Sequence, residues 1–234
     1  MTQKTKLIIA ADTKKFAEVK TWIEIADETG QMIKIGMECM YALGLDNIKN
    51  LTKNKRFFLD LKLHDIPNTV ASAIGSLSVL NPSMLTIHTL GGEKMIKAAR
   101  EAVNNYFELQ QRPLLLGVTV LTSMDQSNLY SIGIEKTPLD QVLLLAEMAL
   151  ENGVDGLVCS PQEVFYLRER LGKEISLIVP GIRLERLASD DQQRVMTPKE
   201  ARQAGASWIV VGRPITKASD PRKIVHTILE QIQG

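Results

Sequence analysis

Short apolar runs recur along the chain, and most of them end in a polar or a small residue. Between them, apolar side chains stand three and four positions apart, as in residues 16–26 and 139–150. Short apolar runs are typical of buried strands, and the longer spacing is typical of amphipathic helices. The pattern predicts strands that alternate with helices, with the strands at residues 7–12, 32–36, 57–62, 84–89, 114–121, 156–160, 176–182 and 208–213.

Glycines are placed where several of the predicted helices must stop. Gly153 and Gly205 each precede a strand, at a position that suits a left-handed helix end. Eight consecutive β/α units predict a (β/α)8, or TIM, barrel that forms a single domain over residues 1–234. An open doubly wound sheet is the alternative fold. It usually has fewer strands and a glycine-rich first turn, whereas this chain has Ala-Asp-Thr-Lys at 11–14.

Composition and charge exclude several classes of protein. A chain of 234 residues that is 44% hydrophobic can bury one large core. Its net charge is +1 with no long block of one sign, which argues against a nucleic-acid partner. Cys39 and Cys159 have no ligand-type neighbours, so we expect reduced, structural thiols. The start of the chain is polar and no stretch is long enough to span a bilayer, so we expect a cytoplasmic protein.

Polar residues close most of the predicted strands. In a (β/α)8 barrel the carboxyl ends of all strands meet at one mouth, which is where this fold builds its active sites. We therefore expect these residues to converge at the mouth: Asp12, Lys34, Asp60, Lys62, His88, Thr122, Ser123, Arg183 and Arg213.

Four charged residues from three consecutive strands form the strongest candidate site: Asp12, Lys34, Asp60 and Lys62. Asp60 and Lys62 are two residues apart, so on a regular strand they share a face while the neighbouring leucines fill the other. Any one of the four alone could be a surface residue or part of a structural ion pair. A whole network buried together is better explained by function, because apolar packing would be at least as stable. A lysine kept protonated by carboxylates suits proton donation to a carbanion.

A phosphate site is predicted at the last strand. The amide of Gly212 can approach an anion and Arg213 can pair with it, and the final loops of this fold commonly bind phosphate. Elsewhere the same residues would be an ordinary turn. The polar stretch 180–195 is long for a strand-to-helix connection. It is either a lid that brings Arg183 and Gln192 to a bound anion or a surface loop.

The histidines and the metal-ligand spacing offer little chemistry. His64 should point away from Asp60 and Lys62, and His226 belongs to the last helix. His88 fits hydrogen bonding inside the barrel better than a reacting role. No three potential ligands have metal-site spacing and no cofactor motif is present, so we expect neither a metal nor a cofactor.

Five segments carry recognisable motifs: Asp-Leu-Lys-Leu-His-Asp-Ile-Pro-Asn-Thr at 60–69, Val-Thr-Val-Leu-Thr-Ser at 118–123, Pro-Gly-Ile-Arg at 180–183, Asp-Gln at 191–192 and Val-Gly-Arg at 211–213. In their order and spacing, and over essentially the whole chain, these segments resemble the bacterial form of the orotidine 5′-phosphate decarboxylase family. The pattern Asp-x-Lys-x-x-Asp alone is shared with sugar-phosphate relatives, but the longer segments are more specific. The resemblance implies cofactor-free decarboxylation of orotidine 5′-phosphate to uridine 5′-phosphate, the last step of de novo pyrimidine synthesis.

The resemblance also implies a role for each matching residue. Lys62 would protonate C6 of the pyrimidine as carbon dioxide leaves, and Asp60 would lie against the substrate carboxylate. Asp65 and Thr69 would reach the site of a neighbouring subunit, which implies a homodimer. One departure is Thr13, which stands where the family often has an aromatic residue. The implied binding residues are Asp12 and Lys34 for the ribose, Thr122 for the pyrimidine, and Arg183, Gln192, Gly212 and Arg213 for the phosphate.

Two other functions remain open at this point. A sugar-phosphate decarboxylase or aldolase of the same superfamily would use the Asp-x-Lys-x-x-Asp set with magnesium, and a chelator would abolish its activity. A barrel that only binds nucleotide would take up uridine 5′-phosphate without turnover. The intact Lys62 argues against the second alternative.

Overall fold

The computed structural model describes residues 4–184 and 195–233, and its strands form a closed parallel barrel. The strands pair in chain order, and the last strand pairs with the first to complete the ring. This confirms the predicted (β/α)8 barrel. The strands are β1 (Lys6–Ala10), β2 (Met32–Gly36), β3 (Phe57–Leu63), β4 (Met84–His88), β5 (Leu114–Val118), β6 (Gly156–Val158), β7 (Ser176–Val179) and β8 (Trp208–Val211).

The helices begin and end at residues suited to those positions. Thr197 caps the helix Pro198–Ala204 by accepting a hydrogen bond from the Glu200 amide, and the Glu200 side chain accepts one from the Thr197 amide. Gly153 and Gly205 take the predicted positive φ angles, 102° and 97°. No helix in the described ranges is long and apolar enough to cross a membrane. The helices are α1 (Phe16–Glu28), α2 (Met37–Thr52), α3 (Pro67–Leu77), α4 (Gly92–Tyr106), α5 (Gln126–Ser131), α6 (Pro138–Glu151), α7 (Val164–Leu171), α8 (Pro198–Ala204), α9 (Arg213–Thr216) and α10 (Pro221–Gln233).

Four of the eight strands, β1, β5, β7 and β8, end before the polar residue that the sequence analysis assigned to them. β1 ends at Ala10 rather than at Asp12, and β8 ends at Val211 rather than at Arg213. The polar residues of those strands thus stand beyond the last rungs of the sheet, whereas Lys34, Asp60, Lys62 and His88 lie within β2, β3 and β4. Both positions are at the carboxyl end of the barrel.

Apolar side chains fill both faces of the sheet, as expected when helices cover a parallel sheet. The larger core lies between the strands and the helices. A smaller core fills the inside of the barrel, and on three strands a polar residue follows it two positions later: Lys34 after Met32, Asp60 after Phe58 and Thr86 after Met84. The inner core consists of Ile8, Ala10, Met32, Phe58, Met84, Leu116, Ile178 and Val210.

The prediction of regular alternation along β3 is wrong at the carboxyl end of the strand. Leu59 pairs with Leu85 and Leu63 pairs with Ile87, so three residues of β3 lie opposite the single residue Thr86 of β4. Such an excess is a β-bulge, and it redirects the side chains that follow. Asp60 and Lys62 still reach the same cavity, but they do so through the bulge and not through simple alternation.

Both cysteines are free and buried. Burial raises the pKa of the Cys39 thiol to about 11 and raises that of Cys159 well above its ordinary value. A thiol that stays protonated is a poor nucleophile and a poor metal ligand. The two residues therefore act as small core side chains.

Candidate active site

A cavity of about 290 Å³ opens at the carboxyl ends of the strands. Side chains of the inner core form its apolar part, among them Phe58, Ile178 and Val210. Most of its polar lining comes from residues that the sequence analysis singled out. These are Asp12, Lys34, Asp60, Lys62, Thr122, Arg183, Gly212 and Arg213.

The four charged residues form a continuous chain of opposite charges. The Lys34 Nζ atom donates a hydrogen bond to Asp12 Oδ1 at 2.9 Å and lies 3.5 Å from Asp60 Oδ2. The Lys62 Nζ atom donates to Asp60 Oδ1 at 2.8 Å. The central pair is the more buried, since the side chains of Lys34 and Asp60 are 10% and 12% exposed, against 53% for Asp12 and 28% for Lys62.

Burial and ion pairing act in opposite directions on the central pair. Burial alone would raise the pKa of Asp60, but Lys34 and Lys62 outweigh it and hold that pKa below its ordinary value. Burial alone would lower the pKa of Lys34, but Asp60 and Asp12 outweigh it and raise that pKa. Both shifts favour the charged forms. The cavity therefore presents fixed charges at neutral pH.

The sequence analysis missed Thr86, which lies beside this pair. The residue is fully buried, and its Oγ1 atom accepts a hydrogen bond from the Lys62 amide at 2.8 Å. The same hydroxyl donates to Asp60 Oδ1 at 3.1 Å. A signal was present in the sequence, because Met84, Thr86 and His88 alternate along β4 and only the first of them is apolar.

The last two strands supply the cationic residues proposed for phosphate. Arg183 is anchored through its backbone, since its amide donates to the Met196 carbonyl oxygen at 2.9 Å. An isolated β-bridge pairs Ile182 with Met196. Arg213 is exposed and begins α9, directly after Gly212. Residues 185–194 of the predicted lid, which include Gln192, lie outside the described residues.

Two predicted site residues lie outside the cavity of their own chain. Asp65 and Thr69 are both exposed and do not contribute to the lining. Asp65 accepts a hydrogen bond from the Ile66 amide at 2.7 Å, and Thr69 is in the first turn of α3. No group of three or more metal-ligating side chains occurs in residues 4–184 and 195–233.

His88 is held neutral beside the site. Burial, together with His64 and Lys62, lowers the pKa of His88 to about 4. Its Nδ1 atom accepts a weak hydrogen bond from the Leu90 amide at 3.4 Å, and its ring stacks on that of His64 with centroids 5.3 Å apart. The residue packs and accepts hydrogen bonds at the end of β4, and it does not line the cavity.

Comparisons with known proteins identify the family to which the chain is similar. The model of the family described as "Orotidine 5'-phosphate decarboxylase / HUMPS family" matches residues 5–228. Proteins named orotidine 5′-phosphate decarboxylase from Gluconobacter oxydans and Vibrio campbellii are 49% and 42% identical to this chain. The matches cover 99% of both chains in the first case and 97% of both in the second.

A solved structure shares the fold as well. The crystal structure of orotidine 5′-phosphate decarboxylase from Lactobacillus acidophilus matches with a TM-score of 0.87 and 38% sequence identity. The match covers 98% of this chain and 100% of that chain. The present chain therefore belongs to the orotidine 5′-phosphate decarboxylase / HUMPS family.

Proposed function

We propose that the protein decarboxylates orotidine 5′-phosphate to uridine 5′-phosphate and carbon dioxide, the last step of de novo pyrimidine synthesis. The observation that carries the proposal is the chain of alternating charges from Asp12 to Lys62, which shares one cavity with Arg183 and Arg213. The names of the relatives support the same reaction.

Lys62 is the proton donor in this proposal. When the bond between C6 and the carboxylate breaks, carbon dioxide leaves and the electron pair stays on C6. The ring offers that pair no carbonyl group that can delocalise it, so its stabilisation is electrostatic. The Lys62 ammonium stabilises the charge as it develops and then transfers a proton to C6. The interaction strengthens toward the transition state, which is the condition for faster chemistry.

Asp60 has two tasks. It holds the Lys62 Nζ atom at 2.8 Å, which positions the proton donor before substrate arrives. As a buried anion it would also face the substrate carboxylate, and the repulsion between them would be relieved when carbon dioxide leaves. Lys34 keeps Asp60 ionised from the other side.

The remaining lining residues bind the parts of the substrate that do not react. Asp12 and Lys34 bind the ribose hydroxyls, and Thr122 binds the pyrimidine edge. Arginine side chains and the Gly212 amide suit a phosphate, because charge-assisted hydrogen bonds to phosphate oxygens are strong and directional. Binding energy from these remote groups can be used to lower the barrier at C6. The phosphate residues are Arg183, Gln192, Gly212 and Arg213.

A homodimer completes the site in this proposal. Asp65 and Thr69 are exposed on their own chain and are free to enter the cavity of a partner. Large apolar side chains are also exposed on the segments that follow β2 to β5, at the same end of the barrel: Met37, Tyr41, Ile66, Leu90 and Leu121. Exposed apolar side chains at this end of the barrel support an interface there.

The test is loss of pyrimidine absorbance from orotidine 5′-phosphate in the presence of a chelator. We expect the native protein to be active and Lys62→Ala to be at least roughly a thousandfold slower, as expected for loss of a charged proton donor. Lys55→Ala is the matched control, since Lys55 pairs with Asp27 away from the cavity. This control should keep native activity.

Other outcomes would contradict the proposal. Activity that the chelator abolishes would favour the magnesium-dependent sugar-phosphate enzymes. Binding of uridine 5′-phosphate with no turnover of orotidine 5′-phosphate would favour a binding protein. Full activity in Lys62→Ala would remove this lysine from the reaction.

A further inference from the structure

A single side chain closes the bulge at the end of β3. Within the bulge, three residues of β3 lie opposite Thr86 alone. The Lys62 amide donates to the Thr86 hydroxyl at 2.8 Å, where a regular parallel ladder would offer a backbone carbonyl. The hydroxyl therefore takes the place of a backbone acceptor.

The backbone of Lys62 is in a conformation that needs such support. Its φ angle is +49°, in the left-handed region that residues other than glycine seldom adopt. Residues persist there only when their surroundings hold them, and they are concentrated at functional sites. For Lys62, two contacts at the site provide this hold: the amide bond to Thr86 and the ammonium bond to Asp60.

The direction of each hydrogen bond follows from the groups available. The Thr86 hydroxyl has one proton, and it accepts from the Lys62 amide, so the proton remains for Asp60 Oδ1 at 3.1 Å. The same carboxylate oxygen accepts from the Lys62 Nζ atom. One buried hydroxyl thus joins the backbone of the proton donor to the carboxylate that orients its side chain.

We propose that Thr86 is a positioning residue for the proton transfer. Its hydroxyl holds the Lys62 backbone in the left-handed conformation and fixes the Asp60 carboxylate, so that the ammonium group is aimed at the reacting carbon. This inference rests on the proposed function, because it takes Lys62 as the proton donor. Thr86 acts through these two residues and does not itself line the cavity.

Thr86→Val tests the proposal, because valine keeps the shape of threonine and removes the hydroxyl. We expect kcat to fall roughly ten- to a hundredfold, the size of effect produced by a misplaced reacting group. KM should stay within about threefold, since the ribose and phosphate contacts are untouched. Calorimetric titration with uridine 5′-phosphate counts the intact sites, so that kcat is expressed per binding site.

Two further variants separate positioning from stability. Thr86→Ser retains the hydroxyl and should recover most of the native kcat. Thr89→Val is the matched control, because Thr89 is equally buried after the same strand and donates to the Val118 carbonyl oxygen at 2.9 Å. It should lose stability without losing kcat per site. If the valine variant does not fold, Thr86→Ala removes the same hydroxyl and carries the same expectation.

Three results would overturn the inference. They are an unchanged kcat in Thr86→Val, a loss of kcat that serine does not restore, and a loss of kcat that only matches a loss of binding sites. The activity of the native protein distinguishes failure of this inference from failure of the proposed function. An inactive native protein would refute the decarboxylase, whereas an active one with an unaffected valine variant would refute only the role of Thr86.

Discussion

Lys34 and Asp60 are opposite charges placed where apolar side chains would be at least as stable. Each is nearly buried, and each is kept ionised by its neighbours against the effect of burial. Replacing a buried ion pair with well-packed apolar residues is often neutral or stabilising. The pair is therefore better explained by the binding and catalysis proposed for this cavity than by a contribution to folding.

His88 gives a prediction for the pH dependence of stability. Its pKa in the fold is about 4, below the ordinary 6.5, so folding favours the neutral ring. The contribution is complete above pH 6.5 and is lost as the pH falls toward 4, because the unfolded chain takes up the proton first. It amounts to at most about 3 kcal/mol. In His88→Asn the free energy of unfolding should fall less steeply over this range, as measured by urea unfolding at several pH values.

The control for this experiment is His226→Asn, at an exposed position on α10. Its unfolding free energy should follow the native pH dependence. An unchanged slope in His88→Asn would show that other groups cause the acid sensitivity.

The sequence predicts some site residues better than others, and the reason is physical. Asp12 and Arg213 stand at the ends of apolar runs, so the fold alone brings them to the mouth. Thr86 places a small hydroxyl in a buried strand. A core readily accommodates such a group, so the sequence does not mark Thr86 as a site residue. The cross-subunit roles of Asp65 and Thr69 come only from family resemblance and remain predictions.

At the scale of the elements, core residues and charged cavity residues alternate along the inner face of two strands. Within β2 and β3 the residue that fills the inner core is followed two positions later by a charged residue of the cavity, as with Met32 and Lys34. Inner and outer faces are both apolar along most of each strand, so hydrophobicity does not tell them apart. The charged residue near the strand end distinguishes the two faces, because it lies on the face that lines the inside of the barrel. The bulge in β3 has no such signal, since its sequence alternates regularly.

The end of β2 gives a prediction at this scale. A side chain on Gly36 would place its Cβ atom 3.0 Å from both Asp12 Oδ1 and Lys34 Nζ, although the φ angle of −96° suits any residue. Gly36→Ala should therefore displace this ion pair and weaken ribose binding by about 1 kcal/mol, or raise KM roughly fivefold. Steady-state kinetics with orotidine 5′-phosphate measure the change.

Gly75→Ala is the matched control, because its Cβ atom would crowd the ring of Tyr106 outside the cavity. It should alter stability and leave KM at the native value. A native KM in Gly36→Ala would mean that the ion pair does not contact the substrate.

At the scale of the whole molecule, the proposed shared site can be tested by mixing subunits. If Asp65 acts across the interface, a dimer of Asp65→Ala and Lys62→Ala chains has one intact site and one doubly defective site. Random exchange of subunits between equal amounts of the two inactive variants should then restore about a quarter of native activity. The measurement is decarboxylation after joint unfolding and refolding of the two variants.

The matched control mixes Lys62→Ala with Asp60→Ala, whose residues belong to the same cavity of one chain. No intact site can form, so no activity should return. Absence of recovery in the first mixture as well would place Asp65 in the site of its own chain or outside the reaction.

The pairing of β8 with β1 has a consequence for synthesis of the protein. A chain still on the ribosome after seven strands already displays all four charged residues, but it lacks Gly212 and Arg213. Its first strand also keeps an unpaired edge, which is open to pairing with other chains until β8 arrives. A phosphorylated ligand can therefore bind fully only to a finished barrel, and protection of the nascent chain must come from elsewhere until the last strand emerges.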